Sequence, residues 1–202
     1  RDLGHPAGEM ESRAVFLFRA GREPVYLLGQ EVNGCRGLGY FPICELKGVL
    51  PEWAFFAGAT ALHLSRWYEG NRYCGRCGGR MERKPGQRAL ACPECGNTVY
   101  PGIAPVVMVA VTDGDRLLMT KYADRSLPQW VLISGFVEAG ETLEEAAERE
   151  AYEGTGIRIR DLRYFGSQPW GFSGSVIAGY TARLDGPDGI RLDRKELAAA
   201  EW

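Results

Sequence analysis

The sequence predicts an α+β fold: a mixed sheet with one acid-rich helix, preceded by a ribbon held by cysteine knuckles and a small N-terminal α+β domain. Three observations predict it. Strand-like runs at residues 104–112, 116–122 and 129–134 come before a helical stretch, and further runs at 157–165 and 176–184 come after it, an uneven order that suggests a mixed sheet. Two Cys-x-x-Cys pairs, Cys74/Cys77 and Cys92/Cys95, lie just upstream. The first third of the chain shows strand-like and helix-like patterns but no motif. With 202 residues there is room for one large or two small domains, and the expected divisions are 1–72, 73–97 and 98–202.

Taken in order, residues 14–18 and 24–28 are apolar runs separated by Gly21-Arg22, the pattern of two strands and a turn. Residues 53–68 place Phe56, Ala59, Leu62, Leu64 and Trp67 at helical spacing, and His63 within this helix is read as structural. Each cysteine pair forms a tight knuckle, with fourteen residues between the pairs. Small and turn-forming neighbours let backbone amides face the sulfurs. This pattern points to tetrahedral Zn²⁺ on Cys74, Cys77, Cys92 and Cys95, a closed structural site because all four ligands come from protein. Cys35 and Cys44 have no partner pattern and are read as buried or inert thiols. The middle of the ribbon, 80–91, should hold two short strands. The basic residues Arg72, Arg76, Arg80, Arg83, Lys84 and Arg88 around it are read as a solvated face, with contact to RNA phosphates as the other reading.

The Val-rich run at 104–112 has the composition of a buried strand, and Asp113-Gly114-Asp115 marks a turn. The helix follows Gly135. Thr142 and Glu145 form a capping-box start, Leu143, Ala146, Ala147 and Glu150 recur at helical spacing, and Gly156 ends it. Glu150 and Glu153 are three apart and share a helical face. Clustered carboxylate oxygens suit hard cations such as Mg²⁺, which binds a few carboxylates plus substrate phosphates.

Composition excludes several classes. A hydrophobic content of 45% with 25% charged residues is that of a soluble globular chain. A net charge of −2 gives no footprint for non-specific nucleic-acid binding. No apolar run approaches the roughly 18 residues of a membrane span, and no signal peptide is apparent, so no membrane partner and a cytoplasmic location are expected. The chain starts at Arg1 without a methionine and stops at Trp202, which suggests a fragment or a processed chain.

Residues 135–157, GFVEAGETLEEAAEREAYEGTGI, resemble the Nudix box of hydrolases that cleave nucleoside diphosphates linked to another moiety. Gly135, Glu141, Arg149-Glu150, Glu153 and Gly156 fall at the family's spacing, while Gly154 stands where the family has a second glutamate. Downstream, Ser167-Gln168-Pro169-Trp170-Gly171-Phe172-Ser173-Gly174-Ser175 is similar to the SQPWPFPxS motif of the NADH pyrophosphatase branch, with Gly171 and Ser173 in place of prolines. That branch also carries a zinc ribbon before its Nudix domain, a Tyr-Pro pair matched by Tyr100-Pro101, and a Lys-Glu-Leu matched by Lys195-Glu196-Leu197.

The resemblance implies a Nudix α/β/α sandwich and a metal-dependent NAD(H) diphosphatase. It implies catalytic Mg²⁺ or Mn²⁺ held by the Ser134 carbonyl, Glu150, Glu153 and Glu196, with Glu150 and Glu153 as catalytic residues. It gives Gly135, Glu141, Arg149 and Gly156 structural roles, Glu141 pairing with Arg149. It implies nucleotide contacts from Tyr100, Phe136, Gln168, Pro169, Trp170, Gly171, Phe172, Ser173, Gly174 and Ser175. It further implies a homodimer, with Phe136 stacking in the neighbouring subunit's pocket, and a final strand-and-helix segment beyond Trp202. Removal of NAD caps from RNA is a second expected activity. The alternatives are a broad hydrolase of the ADP-ribose type, or a nucleotide-binding module with catalysis impaired at Gly154.

Overall fold

The computed structural model describes residues 14–29, 39–123 and 129–202, and Cys35 lies outside them. The chain divides into two compact units: Arg1–Gly102 with Gly171–Gly174, and Ile103–Trp170 with Ser175–Trp202.

In the first unit, β1 (Ala14–Ala20) and β2 (Glu23–Leu28) form an antiparallel hairpin. Its turn uses Gly21 at φ 62°, a conformation that glycine adopts at little cost. After a short 3₁₀ turn, helix α1 (Glu52–Gly70) buries Phe55, Ala59, Leu64 and Trp67. The helix is longer than expected, and it buries Phe55 instead of Phe56. The ribbon follows as three short antiparallel strands, β3 (Glu82–Arg83), β4 (Leu90–Ala91) and β5 (Thr98–Val99). Its small core joins Met81, Leu90, Cys74 and Cys92 to Trp67 of α1, so the ribbon shares its core with the helix before it.

The second unit centres on β6 (Ala104–Asp113), whose Val107, Val109 and Val111 are fully buried. It pairs in parallel with β11 (Ser175–Leu184) and antiparallel with β7 (Arg116–Leu117) and β9 (Ile133–Phe136), while β10 (Ile159–Trp170) edges β11. The sheet is therefore mixed, as expected. Helix α2 (Leu143–Thr155) lays Ala146, Ala147 and Ala151 on this core, and among the described residues it is this unit's one α-helix. Strand β8 (Met119–Tyr122) pairs with β12 (Leu197–Glu201). No helix of the described residues is long and apolar enough to cross a membrane.

Three strands differ from expectation, each through its pairing. The run at 116–122 breaks at buried Leu118, where the chain leaves β6 for β12. The run at 129–134 is strand only from Ile133, and it continues through Gly135 and Phe136, which lie opposite Val107 and Val106. Strand β10 runs on through Pro169, which an edge strand tolerates because no outer neighbour needs its missing N–H.

Candidate functional site

The start of α2 is fixed locally. The Thr142 hydroxyl accepts from the Glu145 amide at 3.1 Å, and the Glu145 carboxylate accepts from the Thr142 amide at 2.8 Å. Gly156, at φ 72°, closes the other end with its amide on the Tyr152 carbonyl. Between these caps Arg149 is the hub. Its Nε and Nη2 donate to the two Glu141 oxygens at 2.6 and 2.9 Å, a bidentate pair. Nη2 also reaches the Phe136 carbonyl at 2.9 Å, and Nη1 donates to Glu150 at 2.7 Å and Glu153 at 3.1 Å. One guanidinium thus ties the end of β9, the loop after it and the helix together. Arg149 hydrogen bonds, followed by the Glu138 amide, hold the Glu141 carboxyl down at about 2. Glu150 is shifted the other way: burial raises it, against the pull of Arg149, and Glu196 and Glu153 add to the rise.

Glu150 occupies space that a side chain at position 135 would need. A Cβ on Gly135 would stand 1.9 Å from the Glu150 carboxyl carbon, so only glycine lets β9 and the carboxylate approach this closely. A crevice opens beside them, lined by Ser134, Glu150, Glu196, Gly154, Tyr122, Thr120, Ile133 and Leu197. The structure therefore brings Ser134, Glu150 and Glu196 to one crevice. Glu153 is not among its lining residues; its side chain is 59% exposed and turned to Arg149. Tyr122 and Thr120 were not anticipated. Tyr122 shares a 2.7 Å hydrogen bond with the Ser134 hydroxyl, and no spacing in the sequence marks it. The two carboxylates of the crevice, with the oxygen-bearing Ser134 beside them, are of the kind a hard divalent ion takes. Gly154 contributes no ligand to its wall.

Of the other residues singled out in this unit, Phe136 is 57% exposed, Gln168 and Pro169 are exposed and Trp170 is partly so, whereas Ser175 is buried at the start of β11. In the first unit, the Tyr100 hydroxyl donates to Gln87 at 3.2 Å. The tip Gly171–Gly174 belongs to this unit and lies on α1. The Phe172 ring meets Phe55 at 5.3 Å, its carbonyl accepts from Arg66 at 2.7 Å, and a Cβ on Gly171 would fall 2.4 Å from the Ala59 carbonyl oxygen. Ser173 is exposed, and Gly174 packs beside His63, whose Nε2 is 2.9 Å from the Gly102 carbonyl oxygen. Cys44 is exposed, not buried.

The four knuckle cysteines place their sulfurs within 4.8 Å of one another, with Cys74–Cys95 at 3.6 Å and Cys77–Cys92 at 3.5 Å. Zn–S bonds of about 2.3 Å in a tetrahedron give S–S edges of about 3.8 Å, so the cluster has zinc dimensions. Amides complete each knuckle: Gly78 to the Cys74 carbonyl at 2.8 Å and Gly96 to the Cys92 carbonyl at 2.9 Å. The Arg76 amide, then that of Cys77, lowers the Cys74 thiol to about 6. At Cys77 the Gly79 amide pulls the same way, but the Cys95 and Cys92 sulfurs outweigh it and push that thiol up to about 12.

Residues 102–202 match the NUDIX domain family, and residues 71–100 match the NADH pyrophosphatase zinc ribbon domain. The chain is 36% identical to the NAD-capped RNA hydrolase NudC of Haemophilus influenzae (strain PittGG) over 89% of its own length and 67% of that protein. It is 33% identical to the protein of the same name from Mannheimia succiniciproducens, over 90% of this chain and 69% of that one. Among solved structures, a NUDIX hydrolase from Nitrosomonas europaea superposes with a TM-score of 0.52 at 25% identity, covering 62% of this chain and 75% of that one.

Proposed function

Because this chain belongs to the NUDIX family and carries an NADH pyrophosphatase zinc ribbon, we propose that it hydrolyses the pyrophosphate of NAD(H) to AMP and nicotinamide mononucleotide. We extend the proposal to NAD-capped RNA, in which the bond cleaved is chemically the same and which the relatives' name specifies. The observation that supports the reading most is the crevice, which Ser134, Glu150 and Glu196 line together beside the Arg149 hub.

In this reading Ser134, Glu150 and Glu196 hold Mg²⁺ or Mn²⁺, and Glu153, nearer solvent, orients water or holds a further ion. A bound divalent ion neutralises pyrophosphate charge and lowers the pKa of its water. Water attacks one phosphorus, the bridging P–O bond breaks, each product keeps one phosphate, and a proton passes to solvent. Arg149 is a positioning residue: it fixes Glu150 and the Phe136 carbonyl at the end of β9. Gly135 gives Glu150 its room. Gln168, Pro169, Trp170, Ser175 and Phe136 in one unit, and Tyr100 and Gly171–Gly174 in the other, are assigned to the nucleotide. The ribbon zinc is structural, and segments 1–72, 73–97 and 98–202 are assigned as N-terminal, ribbon and hydrolase domains. A cytoplasmic homodimer, with Phe136 entering the neighbouring subunit, completes the proposal.

The test is incubation of the protein with NADH and Mn²⁺, followed by chromatography. Equimolar AMP and reduced nicotinamide mononucleotide are expected, with ADP-ribose cleaved more slowly. Preferred cleavage of ADP-ribose would move the reading to a broad hydrolase. NADH binding without turnover would move it to a nucleotide-binding module, the outcome that Gly154 makes worth measuring.

A further inference from the structure

We infer that the zinc ribbon is a docking surface for the single-stranded RNA that follows an NAD cap. The inference rests on the proposed reading and goes beyond it, since that reading gives the ribbon only a structural role. The argument begins with charge. Ribbon residues 71–100 carry Arg72, Arg76, Arg80, Arg83, Lys84 and Arg88 against Glu82 and Glu94, a net side-chain charge of +4 on a chain whose total is −2. A four-thiolate zinc centre is formally −2, so the segment stays positive with zinc in place. Such asymmetry within one chain is the electrostatic mark of a polyanion partner.

The structure then shows that these cations are available. All six are exposed. Arg72 reaches Glu69 at 3.8 Å, and Arg88 donates to the Leu17 carbonyl. Among the described residues, Arg76, Arg80, Arg83 and Lys84 have no side-chain ion pair or hydrogen bond, in contrast to Arg149 and Arg116, whose carboxylates surround them. Aromatic surface accompanies the charge. Tyr73 is 68% exposed and lies opposite Arg80 in an antiparallel bridge, so the two side chains share a face. An exposed ring beside a guanidinium stacks unpaired bases without regard to sequence.

Position gives the surface a route. The hairpin between β3 and β4 is closed by the Lys84 amide on the Ala89 carbonyl at 3.0 Å, and Gln87 at its tip accepts from Tyr100. Tyr100 is assigned above to the nucleotide. A strand leaving a base held at Tyr100 has Lys84 and Arg83 of this hairpin within the same ribbon, along with the Tyr73–Arg80 face. NADH lacks the downstream phosphates that such a surface holds.

The test compares the intact chain with its R80Q/R83Q/K84Q variant, using a 20-nucleotide single-stranded RNA with a 5′ NAD cap and the same RNA with a 5′ monophosphate. Fluorescence anisotropy over a salt series gives Kd. The variant should bind both RNAs about tenfold more weakly, with a salt slope shallower by about 2, since each phosphate contact on a single strand contributes about 0.7. Zinc content and NADH turnover should match the unaltered protein. An RNA Kd within twofold of the unaltered protein, with the same slope, overturns the inference and leaves the NAD(H) reading intact. Loss of RNA binding in the variant when the unaltered protein has no NADH turnover upholds the ribbon surface and overturns the reading of the site.

Discussion

Substituting Gly135 by alanine tests the catalytic reading at its tightest contact. The new Cβ would lie 1.9 Å from the Glu150 carboxyl carbon and 2.0 and 2.1 Å from its oxygens. Ordinary contact begins near 3.4 Å, so the carboxylate must retreat by about 1.5 Å. Glu150 is 13% exposed and tied to Arg149 at 2.7 Å, so it has little room to retreat without breaking that bond. The obstructing atoms are the end of a flexible side chain, so the stability cost stays at the low end of overpacking, about 1 kcal/mol. A catalytic group displaced by about 1 Å costs about 10²-fold in rate. The expectation is a folded protein, slightly less stable, whose kcat for NADH falls about 10²-fold. Glu150→Gln alone should lose as much or more, and adding Gly135→Ala to it should change little further, because both act through one carboxylate. The assay is AMP release from NADH at saturating Mn²⁺, with thermal unfolding followed in parallel. Native turnover by Gly135→Ala would refute the placement of Glu150 at the reacting centre.

Other outcomes follow from the same geometry. Chelation should release one zinc per chain and shift Trp67 emission as the shared core of α1 and the ribbon opens; a zinc-free protein with two disulfides by mass would contradict this. Gly154→Glu should raise turnover at least about tenfold, or about 1.4 kcal/mol of barrier, because the new side chain enters beside Glu150 and Glu196 at the cost of a 3.3 Å approach to Leu197; equal rates would mean that other groups already supply the missing ligand. Glu141 is depressed from 4.5 to about 2, so its stabilisation is complete above its unfolded value and is lost as pH falls towards 2. Glu141→Gln should flatten acid unfolding in that window, and superimposable acid profiles for the two proteins would count against the Arg149 hub.

Much of this was legible because it is local. The Thr142–Glu145 box, the Gly156 cap and the cysteine knuckles each depend on residues a few positions apart. What escaped depends on distant pairing. Leu197–Glu201 contains three alanines, poor strand formers, and becomes a strand only because β8 lies beside it. Gly135 reads as a loop residue, but pairing with Val107 makes it part of β9. Tyr122 enters the crevice through strand register, and no one-dimensional pattern reveals that. The Gly171–Gly174 tip, read as part of a nucleotide loop, groups with α1 through Phe55 and Arg66, residues more than a hundred positions earlier.

The strand order also sets a timetable for assembly. The parallel pairing of β6 with β11 joins Ala104 to Ser175, and the crevice draws on Thr120, Ser134, Glu150 and Glu196. Closing such long loops is slow, and its entropy must be met before the contacts form. During synthesis the oxygen donors converge only after Glu196 has emerged, so a divalent ion on them cannot guide the earlier steps of folding. The four cysteines lie between positions 74 and 95, so the zinc site needs no residue beyond Cys95 and is expected to close early. Pulse-labelled amide exchange should accordingly find the ribbon protected early and β6 and β11 late, with the early step alone hastened by added zinc.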